Sequence, residues 1–154
     1  MERCVGVVDT MFARVDMGSA AYEVLRERLP RYRIVRITVP GAKDLPGAAR
    51  RMLDKGCEAV ITLGWIGRRE ADRVTYAVSS MGLVLVGVLT GKIVVDVTVH
   101  EDESDDPAEL KRIALERARD HAVNLAYMLT KPDELVKRAG KGVRQGYPDA
   151  GPID

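Results

Sequence analysis

The sequence predicts a doubly wound α/β domain, a sheet of four parallel strands with helices on both faces, and three observations carry that expectation. Four short runs rich in β-branched residues, 4–8, 34–39, 59–63 and 83–89, lack polar alternation, as strands covered on both faces do. Segments with helical spacing separate them, which implies right-handed βαβ crossovers and parallel pairing. Finally, a chain of 154 residues can bury about two-thirds of its unfolded surface in one core, so residues 1–154 are expected to form a single domain.

The first helix is carried by Met17, Ala20, Ala21, Val24 and Leu25 and stops before Pro30. The second strand ends in Val39-Pro40-Gly41-Ala42-Lys43-Asp44-Leu45-Pro46. There Pro40 pushes Val39 into extended geometry, Asp44 is placed to cap the next helix, and Pro46 suits its first turn. Ala48, Ala49, Met52 and Leu53 build that helix, and Gly56 stops it. A weaker third helix runs through Val74, Ala77, Val78 and Met81 to Gly82. After the run 83–89 comes an extra extended segment, 93–99, with Val95, Val97 and Val99 alternating against Asp96 and Thr98, expected at an edge or projecting from the sheet. Asp106, Pro107 and Glu109 then occupy N-cap, N1 and N3 of a long C-terminal helix whose apolar face is Leu110, Ile113, Ala114, Ala118, Ala122, Leu125 and Leu129. Pro132 ends it, 133–139 form a short helix, and 140–154 are a Gly/Pro-rich tail that either frays or docks.

Composition excludes several classes. With 24 basic against 23 acidic residues and no basic run, nucleic acid is not an expected partner. No apolar stretch approaches a membrane span and the first strand begins at once, so a cytoplasmic protein without membrane partner is expected. Cys4 and Cys57 have no metal or redox spacing and are expected to pack as small buried hydrophobes instead of forming a bridge. Charged residues reach 31% while Asn124 and Gln145 are the only side-chain amides, a bias of proteins from hot environments.

Ligands of doubly wound sheets bind beyond the carboxyl ends of the strands. The loops expected there bring together Phe12 and Ala13, then Gly41, Ala42, Lys43 and Asp44, then Gly64, Trp65 and Ile66, and lastly Leu89 and Thr90. Phe12 and Trp65, the only residues of their kinds, are suited to stack on a flat heterocycle, and Gly41, Lys43 and Asp44 to hold hydroxyls or ring carbonyls. A plain capped turn explains Asp44 and Pro46 equally well. Of two histidines, His121 lies beside the apolar face of the long helix, where a packed, hydrogen-bonded residue is expected in preference to a catalytic one. His100, followed by Glu101, Asp102 and Glu103, is either a proton carrier or part of a solvated acidic turn.

The segments Val-Asp-Thr-Met-Phe-Ala-Arg-Val-Asp-Met (8–17), Val-Pro-Gly-Ala-Lys-Asp-Leu-Pro (39–46), Val-His-Glu-Asp-Glu (99–103) and Ala-Gly-Lys-Gly-Val-Arg-Gln-Gly-Tyr-Pro-Asp-Ala-Gly-Pro (139–152) closely resemble archaeal-type riboflavin synthase, a family related to lumazine synthase. The resemblance implies a flavodoxin-like, three-layer subunit in a homopentamer with active sites at subunit interfaces. It implies two bound molecules of 6,7-dimethyl-8-ribityllumazine, one passing a four-carbon unit to the other, to give riboflavin and 5-amino-6-(D-ribitylamino)uracil. No organic cofactor is implied, only a divalent cation such as magnesium, for which the sequence shows no compact ligand motif. The candidate catalytic residues are His100, Lys43 and Asp44.

Lumazine synthase is the close alternative. Its Gly-x-Thr-x-His pattern after strand three is absent here, where Gly67-Arg68-Arg69-Glu70-Ala71-Asp72-Arg73 contains no histidine. Arg117 matches the arginine that binds substrate phosphate in that family, although the riboflavin synthase substrate carries none; a salt bridge on the helix surface accounts for it equally well. A receiver-type signalling domain fails because Leu63 and Gly64 stand where its phosphoacceptor aspartate would be. A non-catalytic flavin- or lumazine-binding protein on the same fold is the remaining alternative.

Overall fold

The computed structural model describes residues 2–154. Four strands, β1 (Arg3–Thr10), β2 (Tyr32–Val39), β3 (Ala59–Ile66) and β4 (Ile93–His100), form one sheet in the order β2-β1-β3-β4. All three pairings are parallel, with Thr10 opposite Val39, Asp9 opposite Leu63 and Ile66 opposite His100. This is the flavodoxin-like order, with its topological switch point between β1 and β3. Helices α1 (Met17–Arg28) and α4 (Pro107–Thr130) cover one face over Val5, Val7, Ile61, Leu63 and Val97, while α2 (Leu45–Asp54) and α3 (Glu70–Thr90) cover the other over Val8, Val60 and Ile66. A short α5 (Pro132–Val136) precedes the tail.

The expected N-cap holds at α4 and not at α2. Asp106 accepts the backbone N–H of Ala108 at 3.1 Å and Pro107 opens α4. The Asp44 carboxylate instead turns back to accept the Gly41 N–H at 3.0 Å, closing a 3-10 turn (Ala42–Asp44), and accepts no N–H from α2.

Three expectations are corrected. The run 83–89 is not a strand but the second half of α3, which passes straight through Gly82. That glycine is no helix stop: a Cβ there would lie 2.7 Å from Pro46 Cγ, so it lets α3 and α2 touch. The fourth strand is therefore the segment expected to be additional, 93–99, extended by His100, which pairs along its length with β3 at the sheet edge. Third, Cys4 and Cys57 are buried but joined in a disulfide. The Glu58 N–H donates to the Cys4 carbonyl at 2.8 Å, and β1 and β3 begin pairing at Val5 and Ala59, so the two cysteines face each other just ahead of the ladder.

Helix α3, at 21 residues, is long and apolar enough to cross a membrane by length and composition. Its place argues otherwise. It is the crossover between two paired parallel strands and seats Ser79, Leu83 and Val86 against the sheet side, leaving a second apolar face outward.

Candidate active site

At the switch point the loops after β1 and β2 are zipped together, Met11 N–H donating to the Val39 carbonyl at 2.9 Å and Phe12 N–H to the Pro40 carbonyl at 3.3 Å. Below them, the buried Asp9 carboxylate accepts from Arg36 at 2.5 Å and from the Thr38 hydroxyl at 2.6 Å, and Arg36 also reaches Asp16 and Ser19 at the start of α1. The loop bearing Phe12 is thus tied at both ends. A cleft of about 400 Å³ opens beside it, bounded by Phe12, the 40–44 turn, Trp65, Ile66 and Gly67, and Asp72 with Thr75 on the first turns of α3. Phe12 is half-exposed and its ring faces this space, whereas Lys43 is exposed at its edge and enters no hydrogen bond or ion pair among the described residues.

Trp65 is not in the loop where the sequence places it. Its strand continues to Ile66, so Gly64, Trp65 and Ile66 are strand residues and the loop begins at Gly67. Trp65 is only 1% exposed and forms a wall between the main cleft and a smaller one of about 180 Å³ lined by Arg14, Arg68 and Glu101. Its indole N–H donates to Glu101 Oε2 at 3.3 Å, and the other Glu101 oxygen pairs with Arg14. Arg68 donates to the Glu101 carbonyl at 3.0 Å. Burial pushes the Glu101 carboxyl up, but hydrogen bonds from Arg14 and Trp65 outweigh it and hold the group below the usual carboxylate range.

The other expected site residues separate into those near the cleft and those away from it. Gly41, Ala42, Lys43, Asp44, Trp65 and Ile66 line it with Phe12. Ala13 packs against the α1/α4 core, and Gly64 lies inside β3 against Leu45. His100 ends β4 at the correct rim, its ring edge-on to Tyr76 at 4.6 Å between centroids, but it lines none of these clefts. Leu89 and Thr90 are on the opposite rim of the same subunit, ahead of β4, because the chain reaches the strand-start side through α3. Neighbouring Lys92 there donates to the carbonyls of Leu53 and Cys57.

Arg117 is not a surface residue. It is 2% exposed and forks onto Glu103, Nη1 to Oε2 and Nη2 to Oε1, both at 2.6 Å. Burial raises the Glu103 carboxyl, yet Arg117 and the His100 N–H bring it below its ordinary range. His121, four residues on, is packed as expected, but its Nδ1 is buried without a partner, and burial, reinforced by Arg117, lowers its pKa to about 4.

Sequence reasoning assigned no role to Arg14, Arg68, Asp72 or Glu101. A signal existed for Arg14, in the same loop as Phe12. Glu101, Arg68 and Asp72 meet only through the register of β3 on β4 and the direction of α3, with Asp72 Oδ2 accepting the Arg69 N–H at 3.0 Å.

A family model described as 6,7-dimethyl-8-ribityllumazine synthase matches residues 2–133. The chain is 69% identical over 154 residues, 99% of both chains, to a riboflavin synthase of Aeropyrum pernix. It is 49% identical over 150 residues, 97% of both chains, to a riboflavin synthase of Archaeoglobus fulgidus, and 49% identical over 150 residues, 97% of this chain and 98% of the other, to one of Methanothermobacter thermautotrophicus.

Proposed function

The chain belongs to the 6,7-dimethyl-8-ribityllumazine synthase family, aligning end to end with relatives named riboflavin synthase, and we propose that it is itself a riboflavin synthase. It is then a transferase acting on two molecules of 6,7-dimethyl-8-ribityllumazine, one giving a four-carbon unit to the other, with riboflavin and 5-amino-6-(D-ribitylamino)uracil as products. The observation that carries this reading is the identity over the whole length, which includes the tail beyond residue 133 that the lumazine synthase model leaves unmatched.

The cleft supports it chemically. The 7-methyl group of the lumazine is acidic because its carbanion delocalises into the ring, so the substrate supplies much of the reactivity. What the protein must add is register and proton transfer. Holding two reactants in place is worth up to about 7 to 11 kcal/mol of barrier, and acid–base assistance about 10² to 10⁴ in rate. In this reading Phe12 stacks on a lumazine ring, and the turn 41–44 grips ribityl hydroxyls through Lys43 and backbone groups. Lys43, Asp44 and Asp72 are the ionisable side chains that line the cleft, and His100 serves as a proton carrier at the rim only if a neighbouring subunit completes the site around it.

The exposed apolar face of α3 favours an oligomer, and we take the assembly to be a homopentamer with sites at the subunit contacts. Leu89 and Thr90, remote from the cleft of their own chain, belong to a site only through such a contact. No three His, Cys, Asp or Glu side chains converge as metal ligands among the described residues, and the rim carboxylates are already engaged, Asp72 by a backbone N–H and Glu101 by Arg14. These residues do not fit a magnesium site, and no step is assigned to the ion. A cytoplasmic location is compatible with the Cys4–Cys57 bridge, since intracellular proteins of hot-environment organisms are a disulfide-rich exception.

The test is incubation of the purified protein with 6,7-dimethyl-8-ribityllumazine alone, with and without magnesium. Riboflavin and the diaminouracil are expected in equal amounts; production of neither refutes the proposal. Lumazine formation from the diaminouracil and dihydroxybutanone phosphate at a comparable rate would favour the lumazine synthase reading.

A further inference from the structure

No tail side chain belongs to either apolar cluster, yet the tail is fastened to the most deeply buried charge among the described residues. The Tyr147 ring covers Arg117, with its centroid 3.9 Å from Cζ. Gly146 N–H donates to Asp120 at 3.1 Å, and its carbonyl accepts from Arg117 Nη2 at 3.5 Å. This approach requires glycine, because Gly146 has φ +69° and a Cβ there would lie 2.6 Å from Arg117 Cα and Cβ. Beneath the tail, Arg117 forks onto Glu103 and donates to the Thr98 carbonyl at 2.9 Å. Glu103 in turn accepts the His100 N–H at 2.9 Å, which closes the 3-10 turn Glu101–Glu103. At the head of that turn Glu101 holds the Trp65 indole and Arg14.

We infer that Tyr147 and Glu103 are positioning residues for the cleft: by covering Arg117, the tail keeps the Arg117–Glu103 fork dry and the 101–103 turn in one place, so that Glu101 offers Trp65 and Arg14 a fixed acceptor. The physical reason is dielectric. A bidentate guanidinium–carboxylate pair shielded from water is stiff and strong, while the same pair opened to solvent is screened and samples other geometries. Tyr147 is half-exposed and stands outside the core, so removing its ring uncovers the pair without deleting packing that the sheet needs. The inference deepens the proposed activity and rests on it only for the kinetic half of its test.

Trp65 is the only tryptophan, so its fluorescence reports the cleft wall without any substrate. In the full-length chain, Tyr147→Ala is expected to shift Trp65 emission to the red, raise its quenching by acrylamide, and lower turnover by about ten- to a hundred-fold, as small misplacements at a reacting centre do. Its thermal midpoint is expected to stay close to that of the wild type. Tyr147→Phe, which keeps a ring over the guanidinium, restores both emission and turnover. Gly146→Ala dislodges the tail by another route and repeats the effect of Tyr147→Ala. Unchanged Trp65 emission and quenching in both alanine variants overturns the inference, whatever their activity. If the wild type makes no riboflavin but Trp65 responds as expected, the enzymatic reading fails and the positioning role stands.

Discussion

Helix α3 presents Val74, Val78, Met81, Leu85 and Val88 at alternating steps of four and three, a stripe that runs along its outer face. Leu85 is 50% and Val88 72% exposed, so covering what remains of them is worth about 1 and about 1.5 kcal/mol. Lysines at these positions forfeit that gain and bring two ammonium groups to an apolar seam, at about 2 kcal/mol each even when their stems bend toward water. Leu85→Lys/Val88→Lys is therefore expected to weaken each subunit contact by about 6 kcal/mol, roughly four powers of ten in association. Both residues are exposed in the subunit and lysine is a good helix former, so the fold itself should persist. Sedimentation velocity at low micromolar concentration is the assay. The wild type is expected near five 16.9 kDa chains, about 85 kDa, and the variant at one chain with unchanged circular dichroism. A variant that sediments as the wild type does would show that α3 is not the seam, and a wild type far from five chains would remove the pentamer.

Other consequences are open to measurement. Phe12→Ala removes a half-exposed ring from the cleft and is expected to weaken lumazine binding about ten-fold in a fluorescence titration, with an unaltered melting curve. Asp44→Ala frees the Gly41 N–H and loosens the 41–44 turn by about 1 kcal/mol, raising KM more than it lowers kcat; unchanged KM would leave the turn without a ligand. His100→Ala should lower kcat more than affinity, and wild-type kinetics would take His100 out of the mechanism. His121 is held neutral in the folded chain to about pH 4 against an ordinary value of 6.5, so it contributes nothing to pH dependence above 6.5. As pH falls from 6.5 to 4 the unfolded chain takes up a proton that the native chain refuses, costing up to about 3 kcal/mol. Denaturant titrations across that window should show a steeper loss in the wild type than in His121→Leu, and parallel curves would exclude the buried neutral histidine.

The stretches that local chemistry dictates were legible: the Pro-Gly turn after β2, the Asp106-Pro107 start of α4, and the parallel runs 4–8, 34–39 and 59–63. The run 83–89 misled because two environments call for the same residues. A strand covered on both faces is apolar throughout, and so is a helix with one side on a sheet and the other turned outward as an apolar face. Gly82 compounded the error, since closeness to Pro46 and helix termination are both reasons for a glycine. In the candidate site, Phe12 and the 40–44 turn could be placed from their own loops, whereas Glu101 depends on which strand pairs with β3. Arg117 did leave a trace. It follows Leu110 and Ala114 by seven and three residues, which puts a guanidinium on the buried stripe of α4 and demands a carboxylate opposite.

That demand organises the whole rim. Asp9 is taken by Arg36 and Thr38, Asp44 by the Gly41 N–H, Asp72 by the Arg69 N–H, Glu101 by Arg14 and Trp65, and Glu103 by Arg117. Each of these carboxylates is spent on holding backbone or an arginine in place, and among the described residues the charged side chain lining the cleft without an internal partner is Lys43. A constellation of this kind is poor in free bases and rich in fixed walls. It suits a reaction in which the substrate carries its own acidic methyl group and the protein's larger task is to hold two rings in register. The tail belongs to the same logic, for it reaches the cleft only by pressing Tyr147 onto the arginine that anchors the carboxylate turn.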